Sequence, residues 1–568
     1  MRENTTKTWY SFSLSIKRRA AAPPFFLLFV RECDNMMMKT LFDIGGVMIS
    51  RELKAKIGRL FMIGIPGERL TDGYISFCEK NHIGNFCTNA ANAYTLDGLC
   101  SMTRGLRELA LRTTGEYPFI TIDQEGGFVT RLYEGASLIP SAMAYSAINA
   151  DRERMTEVGG RIGAILRAAG VCCNDAPVLD VNINPDNPII GSRSYSDRVE
   201  EVIERGVGFA LGIESSGVMS VVKHFPGHGN VSADTHLGYV VSNTDADTLR
   251  KTEFLTFKRA FEAGVGAIMT AHVVFSAFSP LPATLSPEII TDLLRGEMGF
   301  DGVVITDAMQ MRAIAGEYPD GEAAVMAIEA GCDQILCYSF DERYIEESLA
   351  AVCRAVESGR ISEERIDRSI ERITRQKEKY GIPTAEPNAE LAKRLAYDAC
   401  AIDESYSDML GAITRIWDDG TLGNLSGKRI LCVAPVYDAV RGVEESMRIP
   451  LSFADELAAA LDGAIACPTS FDGPDEELIA RINGEYDLAF FGILDVNAKP
   501  QQLDVLRLLL ERGKPVVAVL LKSPYDAKYV SECNSAITCY GYTTLAVKAT
   551  TEAIKNNDFR GSLPILNL

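Results

Sequence analysis

Positive charge is scarce in this sequence, and so is histidine. Lys and Arg number 57 against 77 Asp and Glu, which leaves a formal net charge of -20, and only 5 of the 568 residues are His. Nucleic acid and anionic membrane surfaces are therefore poor partners, because long-range repulsion opposes the encounter. No run is long and apolar enough to cross a bilayer, so stable membrane insertion is not expected. A small neutral substrate suits this composition better.

The sequence also lacks the cysteine spacings of a zinc site. Its 14 cysteines include the adjacent Cys172 and Cys173, but no CxxC pair of the type that binds zinc. Others, such as Cys332 and Cys337 in CDQILCY, lie inside apolar runs, where a buried reduced thiol is the ordinary state. This pattern favours a reducing, cytoplasmic compartment.

The N-terminal residues allow a second interpretation of location. SIKRRAAAPPFFLLFVREC places an apolar run after a basic patch, as an export signal does, but the run is short, contains Pro23 and Pro24, and has no small-residue cleavage site. We take residues 1–50 as an extension, with one of the methionines 36–38 as an alternative start. Export remains the alternative to a cytoplasmic protein.

Apolar runs alternate with amphipathic segments between residues 55 and 380. Continuous apolar character is typical of parallel strands that are buried on both faces, and the segments between them supply helical crossovers. Eight such units predict a (β/α)8 TIM barrel over residues 51–385. The predicted strands are 60–65, 83–88, 119–123, 176–182, 218–225, 265–273, 302–308 and 332–338.

Polar residues mark the ends of most of these runs. In a TIM barrel the C-terminal ends of the strands form the active-site face, so we expect these side chains to meet at one mouth. They are Asp123, Asp180, Asn182, Lys223, His224, His272 and Asp307.

A second pattern begins beyond residue 385. We predict a helical linker over 386–425 and a smaller three-layer αβα domain with a mostly parallel sheet over 426–568. Its predicted strands are 429–436, 487–494, 515–521 and 536–541. Neither GxGxxG nor GxxxxGK[ST] follows a predicted strand, so no cofactor is expected.

Three of the histidines fall in one stretch, KHFPGHGNVSADTH, residues 223–236. Pro226, Gly227 and Gly229 make it a loop rather than a helix, and there is no HExxH motif or compact Cys/His set, so a metal site is not expected. Asp234 and His236 lie two residues apart, where a carboxylate can fix the imidazole tautomer and raise its basicity.

Asp307 supplies a second chemical group. It ends an apolar strand, GVVIT, so a rigid element would present its carboxylate to the barrel mouth as a nucleophile. A nucleophilic carboxylate with a separate acid/base is the arrangement of a retaining glycosidase, in which the Asp234/His236 pair would replace the usual second carboxyl group.

The 223–236 stretch resembles the K-H-F-P-G-H-G-D-T-x-x-D-S-H signature of glycoside hydrolase family 3, in its β-N-acetylglucosaminidase branch, with the same spacing throughout. The C-terminal pattern, with FRGSLPI at 559–565, looks like the second domain of the two-domain members. Further stretches resemble family motifs in the same order: ITIDQEGGFVTRL (120–132), NPIIGSRSYSD (187–197), MTAHV (269–273), PATLS (282–286) and GFDGVVITDAMQM (299–311).

The resemblance implies a role for each matching residue. Asp307 matches the nucleophile, His236 the acid/base and Asp234 its partner. The residues that match those holding the terminal sugar are Asp123, Arg131, Arg193, Lys223 and His224. The expected activity is that of a retaining exo-β-N-acetylglucosaminidase, acting on peptidoglycan fragments, with a carbohydrate as its partner.

Other functions stay open at this stage. A neutral imidazole would not repel phosphate, so a β-N-acetylglucosaminide phosphorylase is the nearest alternative; a family 3 β-glucosidase and a non-catalytic sugar-binding protein are more remote. The sequence is also compatible with a homodimer. Phe128, Asn230 and the missing proline after His236 depart from the family pattern, which puts the contacts around the subsites in doubt.

Overall fold

The computed structural model describes residues 41–44, 47–319, 321–382, 386–437 and 451–566. Before the second unit, strands Leu41–Ile44 and Val47–Ser50 pair antiparallel. The basic and apolar stretch discussed above as an export signal lies outside the described residues. The rest of the chain, from Glu52, forms a second unit.

Eight parallel strands form a barrel in this second unit. Their order is β7-β6-β5-β4-β3-β2-β1-β8, and a parallel bridge between Ile305 and Gln334 joins the two ends. The predicted (β/α)8 barrel is therefore confirmed. The strands are β1 (Phe61–Gly64), β2 (Asn85–Cys87), β3 (Ile120–Ile122), β4 (Cys173–Asn174), β5 (Met219–Phe225), β6 (Ala267–Thr270), β7 (Val303–Ile305) and β8 (Ile335–Cys337).

Amphipathic helices surround the barrel, and each buries one face. Helix Leu96–Thr114 is an example: the Thr95 hydroxyl caps its start, Gly115 ends it in a left-handed conformation, and its apolar side chains are buried. The other long helices are Arg51–Gly58, Asp72–Asn81, Arg152–Ala168, Val199–Ser215, Glu253–Glu262, Glu288–Glu297 with π-type hydrogen bonds, Glu322–Ala330, Glu342–Glu357 and Glu363–Lys379. None of the described helices is both long and apolar enough to cross a membrane.

The fourth strand differs from its prediction. The sequence predicted a strand over 176–182, but β4 is Cys173–Asn174 and ends before that segment. Pro177 has no N–H group to donate to a ladder, and Val178 makes only an isolated bridge with Lys223. After this interruption the segment still runs beside β5: Lys223 donates its N–H to the carbonyl of Pro177, and Leu179 donates to that of Lys223. This places Asp180 next to the backbone of His224 and His228.

The second domain contains a six-stranded sheet with helices on both faces. The order is β9-β14-β13-β12-β10-β11, and all neighbours are parallel except β9 and β14, so the predicted three-layer domain is confirmed. The strands are β9 (Thr414–Asp418), β10 (Ile430–Pro435), β11 (Ile465–Thr469), β12 (Leu488–Ile493), β13 (Val516–Leu520) and β14 (Ser535–Thr538). The longer helices are Ala389–Ala396, Ala399–Ala412, Phe453–Ala460, Glu476–Ile482, Gln502–Glu511 and Thr544–Asn556.

Two strands of this sheet were not predicted. β9 lies inside the range assigned to a helical linker, and β11 lies between two predicted strands. Both are edge strands with several half-buried or exposed side chains, so they lack the continuous apolar character that marks a central strand.

The barrel and the second domain share a core. Phe128, in the loop after β3, is buried against Tyr437 at a ring distance of 6.1 Å. The Ser141 hydroxyl donates to the carbonyl of Tyr540 at 2.8 Å, and the Tyr525 hydroxyl donates to that of Asn182 at 3.4 Å. The second domain thus braces loops that leave the C-terminal ends of β3 and β4.

Candidate active site

A cavity of about 690 Å³ opens at the C-terminal ends of the barrel strands. Asp123 directly follows β3, Lys223 and His224 lie near the end of β5, and Asp307 lies two residues after β7. The predicted site residues that line the cavity are Asp123, Arg131, Arg193, Lys223, His224, His236 and Asp307. Asp234 is not among its lining residues; it is buried behind His236.

Glycine shapes the loop that carries the histidines. A Cβ on Gly229 would overlap the carbonyl oxygen of Val181, and Gly227 has a φ of +143°, which L side chains rarely adopt. The close approach lets the Asp180 carboxylate accept the N–H group of His228 at 2.7 Å. Asp180 also lies 2.7 Å from Nδ1 of His224, which fixes that ring.

Asp234 and His236 form a hydrogen-bonded pair. Oδ1 of Asp234 accepts the backbone N–H of His236 at 2.8 Å and lies 2.9 Å from its Nδ1. The side chain of Asp234 is 3% exposed, whereas that of His236 is 25% exposed. An ionised carboxylate can only accept, so Nδ1 carries a proton and Nε2 is the nitrogen left for proton exchange in the cavity.

Asp307 is held as a carboxylate. Burial alone would raise the pKa of Asp307, but the nearby His272, His224 and His236 outweigh that effect, and the pKa is lowered. The backbone N–H of Ala308 donates to its Oδ1 at 2.7 Å. An ionised, fixed carboxylate has the properties that a nucleophile needs.

The floor of the cavity is a buried network of opposite charges. Lys223 Nζ lies 2.7 Å from Asp123 Oδ1 and 2.6 Å from Glu125 Oε1. Arg193 binds both oxygens of Glu125, at 2.8 and 2.9 Å, and Arg131 lies 3.2 Å from Asp123. Although burial alone would raise both values, these cations lower the pKa of Asp123 and bring that of Glu125 to about 2. The network presents fixed donors and acceptors to a polar ligand.

Sequence reasoning assigned no role to Glu125 and His228, which belong to this site. Glu125 lies within the ITIDQEGGFVTRL motif, and the resemblance implied no role for it. It binds Lys223 and Arg193, two of the predicted sugar-holding cations. His228 was considered only as a metal ligand; it is buried, and its Nε2 lies 3.2 Å from the Thr235 hydroxyl, beside Asp234 and His236. Burial, followed by the charge of His224, lowers the pKa of His228 to about 4, so the ring is neutral.

The three loop histidines contact different groups. His224 binds Asp180, His228 binds Thr235 and His236 binds Asp234. Within the described residues no cluster of three His, Cys, Asp or Glu side chains is arranged to hold a metal ion. The cysteines in those residues are all free, and all but Cys400 are buried.

Comparison with known proteins assigns the chain to a family. The model of the glycosyl hydrolase family 3 N terminal domain matches residues 52–376, which cover the barrel. The chain belongs to glycosyl hydrolase family 3. The resemblance that the motifs suggested is therefore confirmed at the level of the family.

Relatives with named activities match over different lengths. A beta-hexosaminidase A from Pseudoalteromonas piscicida is 32% identical over 366 residues, which span 61% of this chain and 61% of that protein. A beta-hexosaminidase from Alkalilimnicola ehrlichii is 32% identical over 286 residues, which span 50% of this chain and 81% of that protein.

A solved family 3 structure matches both domains. It is a beta-N-acetylglucosaminidase from Paenibacillus sp. str. FPU-7, which is 32% identical and superposes with a TM-score of 0.83. The match covers 90% of this chain and 98% of that one. The barrel and the αβα domain therefore occur together in a similar arrangement in that protein.

Proposed function

We propose that this protein is a retaining exo-β-N-acetylglucosaminidase that releases terminal β-linked GlcNAc. The observation that carries the proposal is the hydrogen-bonded Asp234/His236 pair, whose imidazole lines the same cavity as the buried carboxylate of Asp307. A retaining glycosidase needs these two functions, a nucleophile and a separate proton donor. The hexosaminidase names of the relatives point to the same substrate class.

In the first step, Asp307 attacks the anomeric carbon of the bound sugar. The bond between that carbon and the glycosidic oxygen breaks, and the leaving oxygen takes the proton from Nε2 of His236. The Asp234 carboxylate stabilises the doubly protonated imidazole that precedes this transfer. The products are a glycosyl ester on Asp307 and the free aglycone.

In the second step, a water molecule attacks the same carbon. Nε2 of His236 takes a proton from the water, the ester bond to Asp307 breaks, and GlcNAc leaves with its original anomeric configuration. The enzyme returns to its starting state, with Asp307 ionised and His236 ready to donate.

The charged floor would hold the terminal sugar. Asp123 can accept hydrogen bonds from sugar hydroxyls, while Arg131, Arg193 and Lys223 can donate to hydroxyls or to the acetamide carbonyl. Because the interior of a TIM barrel is a packed core rather than a channel, a site at its mouth suits a terminal residue better than the interior of a chain. We further propose fragments of peptidoglycan as the natural substrates.

The test is hydrolysis of p-nitrophenyl β-GlcNAc and p-nitrophenyl β-glucoside side by side. We expect strong preference for the GlcNAc derivative and loss of turnover in Asp307→Asn, with Asp292→Asn, an exposed carboxylate outside the cavity, as the control. Glucoside preference would favour the β-glucosidase alternative. Near-wild-type activity of Asp307→Asn would contradict the proposal.

A phosphorylase is the second candidate, since a neutral imidazole, unlike a glutamate, does not repel an incoming phosphate. In that reaction phosphate would replace water in the second step and yield GlcNAc 1-phosphate. A rate that is constant across a phosphate titration, with no sugar phosphate formed, would exclude it. A rise in rate with formation of GlcNAc 1-phosphate would favour it over hydrolysis.

A further inference from the structure

A buried carboxyl group on the floor of the cavity has no part in the scheme above. Asp175 directly follows β4, and its backbone N–H donates to the carbonyl of Ile122 at 2.8 Å. The residue is 1% exposed and lines the same cavity as Asp123 and Asp307. Its position is set by the barrel wall, which is the kind of rigid support that a substrate-contacting group requires.

Asp175 differs from the neighbouring carboxylates in its partners. Its buried Oδ1 makes no hydrogen bond, whereas Asp123 and Glu125 share the ammonium of Lys223 and Asp307 accepts the N–H of Ala308. Buried polar atoms in proteins are nearly always paired. A carboxyl oxygen that the protein leaves without a hydrogen bond, in a residue that lines a cavity, is therefore expected to find its partner in what fills the cavity.

A negative charge at this position would be poorly compensated. Burial, and after it the charge of Asp123, raises the pKa of Asp175 to about 8. Asp307 adds to this shift, while Lys223 and the hydroxyl of Thr121 oppose it. At neutral pH Asp175 is thus mostly a neutral carboxylic acid, whose O–H group can donate a hydrogen bond.

We propose that Asp175 is a further sugar-binding residue, which donates a hydrogen bond from its neutral carboxylic acid to the sugar in the cavity. The inference rests on the proposed function, in that it takes a terminal GlcNAc as the occupant. A neutral donor complements Asp123, which can only accept. It also keeps a second negative charge away from Asp307, whose ionised form the reaction needs.

The test is the affinity for GlcNAc, measured by isothermal titration calorimetry at pH 7 and pH 9. At pH 7 we expect Asp175→Leu to bind GlcNAc at least about tenfold more weakly than wild type, because it loses the donor. Asp175→Asn keeps an N–H donor and is expected to lose less. Wild-type affinity should fall several-fold between pH 7 and pH 9 as Asp175 ionises, and this fall should be absent in Asp175→Asn.

Asp526 offers a matched control. It is another buried carboxyl group, 7% exposed, and burial followed by the charge of Asp495 raises its pKa to about 7. It lies in the second domain, accepts the N–H groups of Asp495 and Val496, and does not line the cavity. Asp526→Asn should therefore leave both the affinity for GlcNAc and its pH dependence as in wild type.

Three outcomes would overturn the inference. Asp175→Leu that binds GlcNAc as tightly as wild type would show a structural role only. A fall in affinity between pH 7 and pH 9 that persists in Asp175→Asn would assign the pH dependence to another group. If Asp175→Leu does not fold, this pH comparison alone tests the inference. A wild-type protein that does not bind GlcNAc at all would overturn the proposed function together with this inference.

Discussion

A single carboxylate oxygen of Asp234 accepts two hydrogen bonds from His236, one from its backbone at 2.8 Å and one from its ring at 2.9 Å. The backbone bond fixes where the histidine lies along the loop, and the ring bond fixes which nitrogen carries the proton. One side chain therefore controls both the position and the tautomer of the proposed acid/base.

The first prediction separates the orientation of the imidazole from the stabilisation of its positive charge. Asp234→Asn keeps an acceptor for Nδ1 but removes the charge that stabilises the imidazolium, whereas Asp234→Ala removes both. We expect kcat on p-nitrophenyl β-GlcNAc to fall more in the alanine variant, within the range of about 10²- to 10⁴-fold that acid–base catalysis contributes. Steady-state kinetics of the two variants provide the measurement, and equal losses would mean that orientation is unimportant.

The second prediction concerns Glu125. Its replacement by Gln leaves Lys223 and Arg193 without one of their buried partners, and breaking a buried ion pair costs about 3–5 kcal/mol. We expect Glu125→Gln to raise KM for p-nitrophenyl β-GlcNAc at least about tenfold, because the displaced cations no longer hold the sugar.

Glu404→Gln serves as its control. Glu404 is 51% exposed and binds Arg154 and Arg161 at the surface, where an ion pair contributes only about 0–1 kcal/mol. This variant should keep wild-type KM and stability. A Glu125→Gln enzyme with unchanged KM would show that the network only stabilises the fold.

Much of the fold follows from simple sequence patterns. The central strands of both sheets are continuous apolar runs, since parallel strands that are buried on both faces need them. The strands that were misplaced or not predicted are those to which this rule does not apply. β4 is only two residues long and is followed by Pro177, while β9 and β11 lie at sheet edges with half-exposed side chains.

The site was harder to predict than the fold. Motifs drew attention to Asp123, Lys223 and Asp307 because they end strands, but a motif does not show which groups are paired. Lys223 and Glu125 are far apart in the sequence, and their contact depends on how β3 and β5 are arranged in the barrel. Asp175 was not among the predicted site residues, since only the three-dimensional structure shows that it is buried beside the cavity and that its Oδ1 makes no hydrogen bond.

The third prediction is a pH dependence of stability that arises from His228. The pKa of His228 is about 4 in the folded protein, against about 6.5 for an unfolded histidine. Between these values the unfolded chain binds a proton that the folded protein does not, so the free energy of unfolding falls as the pH drops below about 6.5. The contribution at pH 5 is on the order of 2 kcal/mol.

His228→Gln removes this titration while keeping a neutral hydrogen-bonding side chain near Thr235. Urea unfolding of both proteins at pH 7 and pH 5 provides the measurement. Between pH 7 and pH 5 the free energy of unfolding should fall more in the wild-type protein than in His228→Gln. A difference that is the same at both pH values would contradict a depressed pKa for His228.

The last prediction concerns Phe128, one of the residues that depart from the family pattern. Its ring is 6% exposed, packs against Tyr437 of the second domain, and has the ammonium of Lys522 5.5 Å from its centre. Phe128 belongs to the loop after β3 that also carries Arg131, whose backbone N–H is held by the Gln124 side chain at 3.0 Å. At this position the chain thus has an apolar contact between the barrel and the second domain.

We expect Phe128→Ala to lower the free energy of unfolding by about 3–5 kcal/mol, as for other buried aromatic residues, and Phe128→Leu to cost less. Because Phe128 anchors the loop that carries Arg131 against the second domain, KM for p-nitrophenyl β-GlcNAc should rise in parallel with the loss of stability. Thermal unfolding followed by circular dichroism, together with steady-state kinetics, tests both effects. A variant that is destabilised but keeps wild-type KM would mean that the second domain stabilises the barrel without positioning its sugar-binding loop.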